Sequence, residues 1–267
     1  MSERVRVDRN GDIAEVVMTR ADKHNGLDWE MIEDLLGAAA ALRKETTLRG
    51  AILRGDGPSF CAGLDFGSFT KTPARMLQGF VQPGSKNSNL FQEVAIRWRR
   101  VGVPVVAAIH GNCFGGGLQI ALGCDFRFAT PDAQLSIMES KWGLIPDMGA
   151  TVTLPELMPV DRARELTMTG RVVSGTEAAQ LNLVTRAVDD PVAEARALLA
   201  EIATRSPDAA AAAKDLFRRA WTADEAAALR TERRVQRRLL GGANQKLALS
   251  RNLKGDETPY QPRKYRN

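Results

Sequence analysis

The chain has 267 residues, of which 44% are hydrophobic and 26% charged, with a formal net charge of +5, which suits one large soluble domain or a main domain with an extension. No apolar run approaches the roughly 20 residues of a membrane span, and Met1-Ser2-Glu3-Arg4 opens no signal-peptide core, so a cytoplasmic location is expected. Three unpatterned cysteines and two histidines argue against a disulfide framework or a metal site, and the positive charge in residues 230–238 and 254–266 reads as a solvated helix face and tail, without the interleaved aromatics of a nucleic-acid surface.

Arg4–Asp8 and Ile13–Thr19 alternate around Asn10-Gly11, which predicts a β-hairpin. Asp28 can cap a helix to about Arg43, with Met31, Leu35, Leu36 and Ala39 on one face. Gly50–Leu53 is a short strand ending in the turn Gly55-Asp56-Gly57-Pro58 and the loop Ser59–Asp65. Residues 67–90 mix Gly, Pro, Ser, Thr and Asn with scattered apolar residues and are expected to form a mobile loop, a candidate lid. A helix over about Asn89–Val101 precedes the buried strand Pro104–Ile109, which feeds a glycine triplet at the head of helix Leu118–Gly123. Further strands are expected at Phe126–Ala129, Leu135–Ile137 and Val184–Val188, with helices near Ala150–Leu157 and Asp161–Met168. Ser174–Glu177 and Thr222–Glu225 carry the capping-box pattern. From Pro191 to about Leu249 the pattern is helical, the Ala-rich run Asp208–Lys214 included, and the tail from Gly255 is extended. Residues 1–190 therefore read as a mixed α/β core and 191–267 as a C-terminal helical region, whose Leu239, Leu240, Leu247 and Leu249 could cover the same subunit or a neighbour.

The stretch His110-Gly111-Asn112-Cys113-Phe114-Gly115-Gly116-Gly117 carries the most chemical information. Glycines let backbone N–H groups approach a ligand closely, and a helix start leaves such donors unpaired. Ala62-Gly63-Leu64-Asp65 is a second glycine turn after a second strand. One N–H from each turn could converge on a single oxygen and stabilise an enolate-like charge. Glu139 and Asp147 flank a turn holding Gly143 and Pro146, so both carboxylates could face one pocket. Apolar neighbours such as Trp142, Leu144 and Ile145 would raise their pKa values and suit them to proton transfer near neutral pH. A dinucleotide-binding turn is disfavoured, because the glycine spacing is not G-x-G-x-x-G. A thiol enzyme built on Cys113 and His110 is disfavoured too: Cys113 is expected to pack in the turn and His110 to make a structural hydrogen bond.

Phe60–Asp65, Pro104–Gly111 with Gly115-Gly116-Gly117, Cys124-Asp125, Ala133-Gln134 and Gly143–Pro146 resemble, in order and spacing, the crotonase (enoyl-CoA hydratase/isomerase) superfamily over about residues 5–190. Arg20–Leu27 is similar to that family's R-P-x-K-x-N-A-L segment, with Ala21 for Pro and Gly26 for Ala. Gly170–Leu183 is similar to its T-G-x-x-x-x-A-x-E-A-x-x-x-G-L stretch, with Asn182 for Gly.

The resemblance implies a spiral of ββα units with a C-terminal helical region for oligomerisation and active-site cover, a homotrimer or homohexamer, and an acyl-CoA thioester as substrate. It implies an oxyanion hole from the N–H groups of Leu64 and Gly116. It implies CoA or substrate contacts at Lys23, His24, Ala62, Gly63, Asp65 and Gly115, and an acyl pocket shaped by residues 67–90. No metal or redox cofactor is implied; CoA arrives as part of the substrate. Hydratases of the family carry an acid where this chain has Gln119, and their second acid matches Glu139. Dienoyl-CoA isomerases of the family carry acids matching Glu139 and Asp147, and an Asp at the position of Gln119. The expected catalytic set is therefore Glu139, Asp147 and Gln119. Double-bond isomerisation by a carboxylate shuttle comes first, with Gln119 holding the thioester or a water. Water addition through Glu139 is the alternative, and a non-catalytic CoA- or RNA-binding protein on the same fold is the alternative of another class.

Overall fold

The computed structural model describes residues 4–81 and 87–266. The predicted hairpin forms, with β1 (Val5–Asn10) antiparallel to β2 (Ile13–Met18). Helix α1 (Trp29–Lys44) starts where Asp28 accepts the N–H of Met31 at 2.8 Å, and β3 (Gly50–Gly55) follows. Next come α2 (Phe66–Phe69), α3 (Pro73–Phe80) and α4 (Leu90–Ile96), the last opened by a capping box between Asn89 and Gln92. The middle of the chain contributes β4 (Val105–Ile109), β5 (Asn112–Phe114), α5 (Gly116–Leu122), β6 (Phe126–Ala129) and β7 (Gln134–Ser136). After a 3-10 turn over Glu139–Trp142 come α6 (Ala150–Thr153), α7 (Val160–Thr169), β8 (Val173–Ser174), α8 (Gly175–Gln180) and β9 (Arg186–Ala187). The chain then turns helical: α9 (Pro191–Ala203), α10 (Pro207–Ala220), α11 (Glu225–Leu239) and α12 (Ala243–Lys254).

The strands form a six-stranded sheet in the order β1-β2-β3-β4-β6-β9, parallel except for the first pair, and a three-stranded sheet in the order β5-β7-β8. Strands β3 and β4 read as continuous apolar runs because both of their faces are covered. Ala51, Leu53, Val105, Ala107 and Ile109 enter the main core, while Ile52, Val106 and Ala108 pack with Phe128 against Ala195 and Leu199 of α9. Each such Val, Leu or Ile contributes about 1.5–3 kcal/mol through burial. By packing, α9 is thus a layer of the main sheet, although it lies beyond residue 190. A separate small cluster, Ala211, Ala212, Val235 and Tyr265, joins α10, α11 and the tail. The tail is pinned by Tyr265, whose hydroxyl donates to Asp215 at 2.9 Å, and by Arg263, whose N–H donates to the carbonyl of Thr46 at 2.9 Å.

Three expectations change. Residues 67–90 are not a bare loop: α2 and α3 occupy much of that stretch, and residues 82–86 lie outside the described residues. The helices are held by an aromatic cluster that a window of mixed composition conceals. Trp29 meets Phe69 at 4.5 Å and Phe91 at 5.9 Å, and its indole N–H donates to Thr72 at 2.8 Å. Second, β4 does not run straight into the glycines: β5 lies between them and belongs to the other sheet. Third, α11 is capped by Asp224, whose carboxylate accepts the N–H of Ala227 at 2.8 Å, and not by Thr222. Among the described residues no helix is long and apolar enough to cross a membrane, and no group of three or more His, Cys, Asp or Glu could hold a metal ion.

Candidate active site

The loop after β3 runs beside the segment that joins the two sheets. Phe60 donates to the carbonyl of His110 at 2.8 Å, Cys61 to that of Asn112 at 3.0 Å, and Phe114 to that of Cys61 at 3.0 Å. This ladder brings both glycine turns together. Gly63 has φ +93°, and a Cβ there would stand 2.9 Å from the carbonyl oxygen of Phe114 and 3.8 Å from the nitrogen of Gly116, so only glycine permits the approach. Gly115, at φ +49°, ends β5 with its N–H on the carbonyl of Ser136 at 2.9 Å and opens α5. Leu27 donates to the carbonyl of Gly63 at 2.8 Å and accepts from Asp65 at 2.9 Å. That pairing leaves the N–H of Leu64, between them, facing away from Leu27. Among the described residues neither Leu64 N–H nor Gly116 N–H has a protein acceptor. Two adjacent unpaired donors are what an oxyanion needs.

Glu139 is 9% exposed and begins the 3-10 turn after β7. Its Oε1 lies 3.4 Å from where a Cβ on Gly115 would stand, so the carboxylate sits over the glycine turn. Oε1 accepts from Nε2 of Gln119 at 2.6 Å, whereas Oε2 is buried with no partner. Burial pushes the Glu139 carboxyl above its ordinary range, and the charge of Asp147 adds to the effect while the Gln119 hydrogen bond opposes it. Burial likewise raises Asp147, which is half-buried. The direction is the expected one. Leu144 and Ile145 are 51% and 75% exposed, whereas Glu139 lies against the glycine turn and Gln119.

Gln119, on α5, is 1% exposed and its amide is engaged at both ends. Its Oε1 accepts the N–H of Met148 at 2.8 Å while its Nε2 donates to Glu139. One side chain thus ties Glu139 to the backbone next to Asp147.

The remaining expected site residues scatter around this centre. Lys23 and His24 are exposed on a 3-10 turn; His24 pairs through Nδ1 with Ser59 at 2.9 Å, and its carbonyl accepts the N–H of Ala62 at 2.9 Å. The Asp65 carboxylate is taken up by Arg20 at 2.8 Å and by the N–H of Ser68 at the head of α2. Burial works against its charge, but Arg20 outweighs that and holds the carboxyl below its usual range. Asp65 therefore braces the loop that presents Leu64. Arg20 and Asn25, from the segment Arg20–Leu27, also build the site. Asn25 is fully buried at φ +54°, donates to the carbonyls of Asp56 and Ser59 at 2.9 and 2.7 Å, and accepts from Arg20 N–H at 2.9 Å. The pair Asn25-Gly26 was its signal, since Asn tolerates the left-handed conformation. His110 makes the expected structural bond, Nε2 to the carbonyl of Gly57 at 2.9 Å, and Cys113 is buried with its thiol pushed up by desolvation.

The chain is similar to several known proteins. Residues 8–254 match the family model for enoyl-CoA hydratase/isomerase. A Δ(3,5)-Δ(2,4)-dienoyl-CoA isomerase, mitochondrial, of Dictyostelium discoideum is 30% identical over 215 residues, 76% of this chain and 72% of the relative. The human enoyl-CoA hydratase domain-containing protein 2, mitochondrial, is 34% identical over 227 residues, 82% of this chain and 75% of the relative. The crystal structure of an enoyl-CoA hydratase from Bacillus anthracis superposes with a TM-score of 0.87 at 26% identity, covering 97% of this chain and 99% of that one.

Proposed function

The chain belongs to the enoyl-CoA hydratase/isomerase family, with its crotonase fold, and from that premise we propose that it moves a double bond along the acyl chain of an acyl-CoA thioester. The thioester oxygen lies between the N–H groups of Leu64 and Gly116. One carboxylate of the pair Glu139 and Asp147 removes a proton from the carbon next to the thioester. The electron pair passes into the enolate that the two N–H groups stabilise, and the other acid returns a proton farther along the conjugated chain. Lys23, His24, Ala62 and Gly63 border the path of CoA, which enters only as part of the substrate. The chain works as a homotrimer or homohexamer, for which the exposed Leu240 and Leu253 of the C-terminal helices supply apolar surface.

The observation that carries this reading is the unpartnered, buried Oε2 of Glu139 beside the glycine turn, with Asp147 near enough to raise its pKa. A second reading, water addition to a 2-enoyl-CoA, draws on the same orphan oxygen, which would hold and deprotonate the water. Gln119 lends it little, because its carbonyl oxygen and one of its N–H groups are already used. Mixing the protein with crotonyl-CoA and, separately, with a 3,5-dienoyl-CoA distinguishes the two by ultraviolet absorbance and product mass. An absorbance change at constant mass on the dienoyl substrate is expected; a gain of one water on crotonyl-CoA without dienoyl turnover overturns the isomerase reading.

A further inference from the structure

Phe66 and Trp142 meet with ring centroids 4.8 Å apart and planes inclined by 43°. Their positions in the chain are telling. Phe66 opens α2, two residues after Leu64 of the oxyanion turn. Trp142 closes the 3-10 turn that Glu139 begins. The 3-10 turn is one turn long, so Trp142 stands one turn beyond Glu139 in the chain. The ring pair therefore bridges the two loops that carry the oxyanion donors and the acids. It is also not part of the core. Trp142 is 61% exposed and Phe66 is partly exposed, whereas the neighbouring Trp29, Phe69 and Phe91 are buried against one another. A large aromatic surface beside reacting groups, braced but left uncovered, is a binding surface more than a packing element.

We propose that the Phe66–Trp142 pair selects the acyl group, favouring a flat aryl or conjugated acyl group over a puckered, saturated one of the same size. The inference rests on the acyl-CoA reading above. A thioester whose oxygen sits between Leu64 and Gly116 extends its acyl group past Glu139, and the pair stands on both loops that border that path. Flat π-systems gain offset or edge contacts with such rings beyond what their buried area gives, and a saturated ring does not.

Two thioesters without an enoyl double bond separate this proposal from the reaction itself: benzoyl-CoA and cyclohexanecarbonyl-CoA, of similar size but different shape. Their affinities are measured by calorimetry, with free CoA alongside. The wild type should bind benzoyl-CoA about three- to tenfold more tightly. Trp142→Leu and Phe66→Leu should each remove most of that preference while leaving the affinity for free CoA unchanged, and Trp142→Phe should retain it. Equal affinity for the two thioesters, or a preference that survives both leucine variants, overturns the proposal and leaves the acyl-CoA reading standing. No binding of either thioester or of CoA takes down the reading and the proposal together.

Discussion

Replacing Gln119 by Leu tests whether that amide organises the acids. Leucine keeps the volume nearly constant in a site that is 1% exposed, so packing is disturbed little. It deletes two hydrogen bonds, 2.6 Å to Glu139 and 2.8 Å from Met148 N–H. Both partners then become orphans. A buried group that loses its partner costs about 1–3 kcal/mol, more when charged, so the expected loss of stability is about 2–5 kcal/mol, or roughly 5–15 °C in Tm for a chain of this size. The second readout is the pH dependence of kcat/KM. The Gln119 hydrogen bond holds the Glu139 carboxyl down against the larger effect of burial. Its removal should shift the acid limb to higher pH, whereas a merely structural lesion would lower the rate without moving the limb. Gln119→Glu places a second carboxylate within hydrogen-bonding range of the first, so its stability should fall with rising pH more steeply than that of Gln119→Leu, in which Glu139 alone is raised. Calorimetry and pH–rate profiles on both variants decide it. An unshifted limb with an unchanged Tm would refute the clamp.

Asp147→Asn should stabilise the protein above the raised pKa of Asp147 and bring no gain below the ordinary carboxylate range. Burial makes the folded state hold a proton that the unfolded state has already lost, so wild-type stability declines with rising pH across that window; denaturant midpoints at pH 4 and pH 8 check the sign. The same substitution should abolish conversion of a dienoyl substrate, so that no deuterium from heavy water enters at the far carbon, while leaving substrate binding intact, read by mass spectrometry. Gly63→Ala adds a Cβ 2.9 Å from the Phe114 carbonyl at φ +93°, and should lower kcat by about 10²–10³-fold by displacing the Leu64 N–H, with KM changed far less. Burial pushes the thiols of Cys61 and Cys124 up to about 12 and raises Cys113 as well. A disulfide reagent at pH 8 should label none of the three in the native protein and all three in guanidinium.

Much of the fold is legible because each signal is local. Asn10-Gly11 between alternating runs, Asp28 three residues ahead of Met31, and Ser174 ahead of Glu177 mark element boundaries within a few residues, and those elements stand where expected. What is less legible is relational. Nothing in Asn112-Cys113-Phe114 announces a strand of its own, because three residues carry too little alternation; the strand exists because Gln134–Ser136 lies alongside. Residues 66–80 look like a loop because α2 and α3 are short, four and eight residues, and set among Gly, Thr and Pro. They are held from outside, by Trp29 and Phe91, and Arg75 lies over the Trp29 ring at 4.6 Å.

The site divides along the same line. Residue types can be read, so two glycine turns and two acids point to an oxyanion hole and a proton relay. Environments cannot. Gln119 read as a letter suggests an amide free to hold water, since it cannot carry a proton. What redirects it is a main-chain N–H, that of Met148, and main-chain groups have no letter. Its capture of Gln119 has a consequence for Glu139. With Oε1 held, the carboxylate cannot rotate to exchange its oxygens without breaking a 2.6 Å bond, so Oε2 alone remains basic toward the site. A base held on one side of the substrate removes a proton from one face. Deuterium entering at the carbon next to the thioester should therefore do so with a single stereochemistry in the wild type, and Gln119→Leu, which frees the base, should scramble it in part. Full stereochemical fidelity in an active Gln119→Leu variant would show that something other than this clamp orients the base.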